Sequence, residues 1–510
     1  MAASVVVLKT NPGIKRDGTV FEGDFYVDGQ WVRFQRGLPR KMWGYKTFSL
    51  YLSQISTGFH TFTNGSLVYC HSGSTSYVER FTLDFDGNPS IVSNRTPVGY
   101  VPNANNCWMF DVIFSSVSLD NSLIAHVAPN GNNITSTGAG AIYIGDITDT
   151  AALTAVTLPA NGNVTGGIVV LHPYLFYYGT AGFVGWSVAG SPADLTGAGS
   201  GQARIAGQKI VKGLPLRAGS GSAPAGLFWA YDALIRSTFV GGAPVFQFDT
   251  ISAETSVLSQ DSIIEYDGIY YWCGVDRFLM FNGVVREVPN NMNINYFYDS
   301  LNNEQRQKVF AVKVPRWGEI WWCFPQGSST ECSHAIVYNV RENTWYDTPL
   351  PNSGRSAASF SPAFAAPLMT GVTTNGLGYR VWRHEYGLDE IDGVTVNPIL
   401  SYFETCDMSF AVMQGANRKM KVNYVEPDFV QAGDMSVEII GRANARAPTV
   451  TSNAVTFPDD PGSIPSEQIV PFKEQRRELR VKFTSNTING DYQMGQVLIH
   501  VEPGDGTITG

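Results

Sequence analysis

Charge is scarce in this chain. Only 15% of its 510 residues are Asp, Glu, Lys or Arg, against about 25% in an ordinary globular protein. Long solvent-facing helices draw on those residues, so a largely helical fold is excluded. Basic residues are the scarcer sign, 35 against 44 acidic for a net charge of −9. A protein that grips nucleic acid by its phosphates needs basic patches, and this balance argues against one, although an acidic wall past which DNA slides is compatible with it. Cysteine is also sparse: six residues and no CxxC pair, which excludes a zinc ribbon or a disulfide-dense scaffold. Cys273 and Cys323 each follow aromatic pairs in strand-like runs and read as buried free thiols; a Cys323–Cys332 hairpin bridge is the alternative. No apolar run approaches the roughly 20 residues that cross a bilayer. The opening "MAASVVVLKTNPG" lacks the charged start and 7–15-residue apolar core of a signal peptide, so the expectation is a chain made in the cytoplasm without a membrane-spanning segment.

Catalytic motifs are missing too. There is no phosphate-binding GxxxxGK[ST] loop, no HExxH and no GxSxG elbow. None of the seven histidines has a partner at the i, i+4 spacing of a helical metal site. His384 beside Glu385 is the most suggestive pair, and its plainer reading is a polar strand or turn position. "DFDGN" at 84–88 and "DEIDG" at 389–393 put carboxylates near a glycine, without the spacing or terminal Glu of a calcium loop; strand-linking turns explain both. The expectation is therefore no enzyme, no metal and no cofactor.

What the chain has in abundance is turns and aromatics: 52 Gly, 27 Pro, 29 Phe, 23 Tyr and 11 Trp. Short aromatic-rich runs recur at intervals of roughly 40–50 residues, anchored by Trp186, Trp229, Trp272 and Trp321. That period in an all-strand context is the signature of propeller blades. The fold expected is all-β: a β-propeller of six to eight blades over 51–405, preceded by an N-terminal hairpin or docking segment (1–50) and followed by a C-terminal antiparallel sheet or sandwich (406–510). In "AIVYNVRENTWYDTPLP" a turn precedes Trp345, as in the last strands of a blade whose Trp packs between blades. "YLFYY", "IYYWC" and "IWWCF" read as inter-blade packing rather than stacking platforms.

Within 1–50, "FYVDGQWVRFQRG" alternates polar and apolar residues and predicts a hairpin through Asp28-Gly29. This segment concentrates basic residues. Arg33, Arg36, Arg40 and Lys41 are the candidates for docking a partner, set against the plainer reading of a solvated hairpin face. "NINYFYDSLNNEQRQKVFAV" at 293–312 predicts one helix, capped by Asp299 or Ser300 with Glu304 in the first turn. The Gly/Ala/Ser-rich stretches at 189–207 and 217–226 read as rim loops and are the candidates for a gate.

Three stretches carry a family resemblance: "GQWVRFQRGLPRKMWGY", the blade-like run at 245–350, and "RRELRVKFTSNTINGDYQMGQVLIHVE". In this order they resemble the tail nozzle, or packaged-DNA stabilisation, proteins of short-tailed bacteriophages, over about a third of the chain. The resemblance implies a structural ring subunit, a hexamer, in the virion tail, assembled in the host cytoplasm. The ring would bind a tail adaptor ring and, further along, a needle, spike or fibre protein. It would hold the packaged genome and let DNA pass at ejection without sequence-specific binding. No catalytic residue is carried over. The competing expectations are a propeller that binds a receptor or glycan and a propeller glycosidase.

Overall fold

A computed structural model describes residues 4–19, 24–102, 107–127, 140–160, 162, 164–216, 223–352, 354–414, 418–444, 446–459 and 469–504. The loop stretch 217–222 lies outside them. Seven blades form the centre: six are four-stranded antiparallel sheets, and the seventh is the four-stranded part of a six-stranded sheet that Glu390–Asp392 and Thr395–Asn397 extend. Blade 1 is Ser56–Asn64, Leu67–Ser74, Val78–Asp84 and Ser93–Asn94. Blades 2 to 6 follow in the same up-and-down order, their first strands being Trp108–Ser115, Gly167–Leu171, Ile210–Pro215, Ile264–Tyr266 and Phe310–Val314. Blade 7 takes three strands from Arg355–Ser361, Ala366–Val372 and Tyr379–His384. Its fourth strand is Tyr45–Thr47, from the other end of the chain. The first strand of blade 7 packs beside that of blade 1, so the ring is closed and sheet edges are short.

Seven apolar clusters hold the blades together, one for each gap between neighbours. Leu258, Phe278, Trp322 and Trp345 fill the gap between blades 5 and 6. Val211, Trp229 and Trp272 do the same between blades 4 and 5. Trp345 lies 4.7 Å from Phe278 and stacks on Tyr338 at 4.6 Å, and its indole N–H donates to the Pro289 carbonyl. The tryptophan rhythm has a different basis from a strict repeat. Trp229, Trp272 and Trp321 all lie on second strands, but Trp186 is on a third strand. Trp229 and Trp321 face the following blade, whereas Trp272 faces the preceding one.

The segment expected to stand apart at 1–50 does not. Residues 4–41 supply strands to a second module built mainly from 401–503. Ser4–Val7 pairs with Leu498–Pro503. Asp28–Gln30 pairs with Ser401–Glu404. The hairpin Val32–Gln35/Leu38–Lys41 joins Asp491–Met494. Left alone, these strands would expose unpaired edges. The hairpin turns at Arg36-Gly37 rather than Asp28-Gly29; both turn residues have positive φ, 56° and 75°, as a two-residue hairpin loop that follows strand twist requires. The module lies against the outer strand of blade 6, and the two share one core that runs from Trp31 and Phe34 through Trp321 and Tyr346 to Val437 and Phe483.

The helix expected at 293–312 is split. Ile294–Ser300 is α-helical, Asn303–Lys308 is a 3-10 turn, and Phe310 already begins blade 6. Asn302, not Asp299 or Ser300, caps the second piece by accepting from the Glu304 N–H.

Where the chain passes from module to propeller, Gly44 is pinned. Its N–H donates to the Gly387 carbonyl and its carbonyl accepts from the Tyr386 N–H. A Cβ there would stand 2.2 Å from the Asp389 carbonyl oxygen. Backbone cannot retreat as a flexible side chain can, so Gly44→Ala is expected to cost about 1–3 kcal/mol, read as a lowered urea midpoint at unchanged slope.

Candidate functional site

Two features stand out: the central channel and a cationic patch on one end of blade 6. The first strands of the blades surround a cavity of about 800 Å³. Lys212 and Asp261 form an ion pair across it at 2.9 Å, and Lys308 pairs with Glu331. Asp111 also faces the cavity, its carboxylate accepting from the Val112 and Val170 N–H groups, each at 2.8 Å. Burial raises the Asp111 pKa to about 6, against the pull of those two donors. The charged groups on the wall therefore largely satisfy one another. Cys107 lies there too, its thiol pushed up to about 12 by burial. Behind the wall Lys209 is buried, and burial lowers its pKa to about 8. Sequence reading missed this set. Its only trace is a charge in or just before the first strand of successive blades.

The four basic residues singled out at the N-terminus separate into two pairs. Arg33 is fully buried. Its Nε lies 2.9 Å from Glu319 Oε1 and its Nη2 2.6 Å from Glu385 Oε1. Burial alone would lower its pKa; the two carboxylates reverse that and hold it raised. Lys41 is equally buried and donates to the Gly490 carbonyl at 2.7 Å; burial lowers its pKa to about 8 against Asp389 and Asp491. Docking roles for Arg33 and Lys41 are thus corrected: both charges are spent inside the fold, one between module and blades 6 and 7, the other within the module. Arg36 is exposed and Arg40 half-buried. Arg40 joins Arg316, from a turn of blade 6, around two tryptophans, and the Arg36 turn meets the other turn of blade 6, which carries Arg341, through Glu342. The Arg316 guanidinium lies 3.9 Å from the Trp43 ring centroid, and Arg40 lies 4.9 Å from that of Trp317. The two indoles meet edge to face at 5.9 Å.

The remaining candidates are structural. His384 is buried and its Nε2 accepts from Arg355 Nε at 3.0 Å; burial and Arg355 hold its pKa well below the ordinary value. Glu385, at φ 55°, accepts from Arg33 and from the Trp317 indole. Asp84 closes its own turn by accepting from Asn88. Asp389 accepts from the Asn489 N–H. Glu390 accepts from Asn352 and Thr374. Among the described residues no group of three or more His, Cys, Asp or Glu is placed to hold a metal ion, and all six cysteines are free thiols. The stretch 189–207 supplies the outer strand of blade 3, Gly201–Arg204, and none of the described residues lining the cavity.

No family model matches the chain, and no curated protein matches it. Among solved structures it is similar to the WD40 β-propeller domain of Doa1, at 10% identity and a TM-score of 0.41, over 67% of this chain and 97% of that one. The propeller here is described from its own seven sheets. No helix among the described residues is long and apolar enough to cross a membrane.

Proposed function

We propose that this protein is a structural subunit of a bacteriophage tail nozzle ring, which extends the DNA channel, retains the packaged genome and lets it pass at ejection. The observation that carries the reading is how the chain's two end regions are used. The opening and closing stretches that resemble the tail nozzle family, far apart in sequence, pair in one module: Leu38–Lys41 lies beside Asp491–Met494. That module shares a core with blades 6 and 7. Propeller and module therefore behave as one stiff body, which a closed ring of repeated contacts needs. The cavity inside the blades is the size of a small-molecule pocket; the DNA path in this reading runs between subunits, around the ring axis. No residue is assigned a catalytic role.

Native mass spectrometry of the untagged protein, alone and with neighbouring tail proteins, tests the reading. A hexamer, or a monomer that becomes hexameric on an adaptor ring, supports it. A monomer indifferent to those partners sinks it and favours a receptor- or glycan-binding propeller, with the central cavity as the place to look.

A further inference from the structure

The surface charge of this protein is divided by blade. Between Lys46 and Arg204 the only basic residues are Arg80 and Arg95, and both are buried. Blades 1 to 3 therefore present no exposed cation before Arg204, at the end of blade 3. In a four-stranded meander the first–second and third–fourth turns lie at the same end of the sheet. At that end, blades 1 to 3 carry Asp86, Asp120, Asp149 and Asp194, all exposed. Among them stand bare apolar side chains: Ile91 is 89% exposed, Val117 76% and Leu119 71%.

Blade 6 has the reverse character at the same end. Arg316 is in its first–second turn and Arg341 in its third–fourth turn. The Arg36 turn reaches them, its N–H donating to Glu342. Among the described residues no carboxylate lies within ion-pair distance of Arg36, Arg316 or Arg341. Arg341 instead donates to the Pro315 and Arg316 carbonyls, which fixes the turn and leaves its charge unneutralised. Trp43 and Trp317 are half-buried beneath Arg316, Arg40 and Arg33, and arginine–tryptophan surfaces are frequent anchors of interfaces.

We infer that these two surfaces are partners: the acidic, apolar end of blades 1 to 3 on one copy docks against the Arg/Trp patch of blade 6 on the next. In a seven-membered ring of blades, blade 6 stands across the channel from blades 2 and 3. Both patches therefore lie on one face of the propeller, on opposite sides of the channel, so two copies meeting face to face about a two-fold axis satisfy both contacts at once. The occupant is a second copy of this chain because the complement to each patch, in both charge and apolar character, is found on the chain itself. The inference goes beyond the ring reading and does not rest on it, since a face-to-face contact pairs copies without closing a ring. Opposite charges steer the encounter and fix which face meets which, and exclude the like-charged pairings.

The test is a charge swap, read by native mass spectrometry and light scattering under the condition that yields the wild-type assembly. R316E/R341E and D86K/D120K alter exposed side chains, and each is expected to weaken assembly at least about tenfold with unchanged circular dichroism; R316E/R341E also loses the Arg341 turn bonds and is expected to lower the thermal midpoint by a few degrees while staying folded. The fourfold variant R316E/R341E/D86K/D120K is expected to assemble again. Wild-type assembly that is weakened by rising salt agrees with the pairing. If the wild type assembles and either double variant does so equally well, or if the folded fourfold variant stays apart, the pairing is overturned while the ring reading stands. The Arg/Trp patch then belongs to another acidic partner. A wild type that stays monomeric under every condition overturns the ring and the pairing together. A two-fold dimer lost in both double variants supports the pairing and removes the ring.

Discussion

Replacing Arg33 by alanine is expected to destabilise the fold by about 3–5 kcal/mol, because the change strands Glu319 as an unpaired charge in the core. Glu319 is fully buried, and its carboxylate is held by the Arg33 guanidinium, the Trp321 indole and the Tyr346 hydroxyl. Desolvation raises its pKa even with Arg33 in place. Without Arg33 it must either stay charged at high cost or take up a proton. The Arg33 side chain also covers Trp317, 4.7 Å from the ring centroid, so truncation removes packing as well. Total stabilities of about 5–15 kcal/mol are usual, so Arg33→Ala alone can fall below the threshold for folding. R33M/E319Q/E385Q separates the causes: it removes the cation and both carboxylates it pairs with, keeps most of the volume and leaves acceptors for Trp321, Tyr346 and Trp317. Urea titration should find it at least half restored. A loss below about 1 kcal/mol in Arg33→Ala would mean that this network does not join module to blades.

The second large effect is on acid stability. Burial pushes the pKa of His60 and His126 down to about 4, and holds His71 and His384 well below the ordinary value. His126 shows why. Its Nε2–H donates to the Val164 carbonyl, and its Nδ1 is buried without a partner, so a second ring proton would have nowhere to bond. A histidine whose folded pKa is depressed contributes stability that is fully present above its unfolded pKa of about 6.5. That stability is lost as pH falls toward the folded pKa. Each such histidine should remove about 2 kcal/mol between pH 7.5 and pH 5. The raised carboxyl of Asp111 titrates in the opposite sense, gaining proton-linked stability below about pH 6. A difference measurement isolates one imidazole: the stability gap between wild type and His126→Gln should narrow by about 2 kcal/mol from pH 7.5 to pH 5. A gap that stays constant would mean that His126 is charged in the folded state or already near neutral in the unfolded chain.

The propeller was legible because blade packing demands large apolar groups at every gap, and that demand leaves a rhythm of Trp, Tyr and Phe broken by turns. The rhythm marks strands, not faces. Trp229 and Trp272 meet at 5.8 Å from opposite sides of one gap, so equal spacing in the chain did not mean equal position in the blade. The blade count needed the fourth strand of blade 7, which no local pattern could reveal because its partner is more than three hundred residues away. The same non-locality hid the fate of the N-terminal basic cluster. Arg33, Arg36, Arg40 and Lys41 look alike in "VRFQRGLPRK", yet Arg33 and Lys41 lie on opposite faces of the hairpin and both faces are covered in the fold, while the Arg36-Gly37 turn leaves Arg36 outside. The channel charges were harder still, because each is an isolated Asp, Lys or Glu whose partner comes from the next blade or from another part of the same blade, 49 residues apart for Lys212–Asp261 and 23 for Lys308–Glu331.

The placement of Tyr45–Thr47 also orders events during synthesis. This strand leaves the ribosome early and must wait, unpaired, until Tyr379–His384 has been made. The strands before it wait longer, for partners as late as Leu498–Pro503. Blades 1 to 6 can form one after another from local hairpins, but the circle cannot close before His384 is made, nor the module before Leu498–Pro503. The Arg36 turn reaches Arg316 and Arg341 only in that final docking. A chain half made, ending before blade 6, would therefore carry the acidic surface of the inferred contact without Arg316 and Arg341.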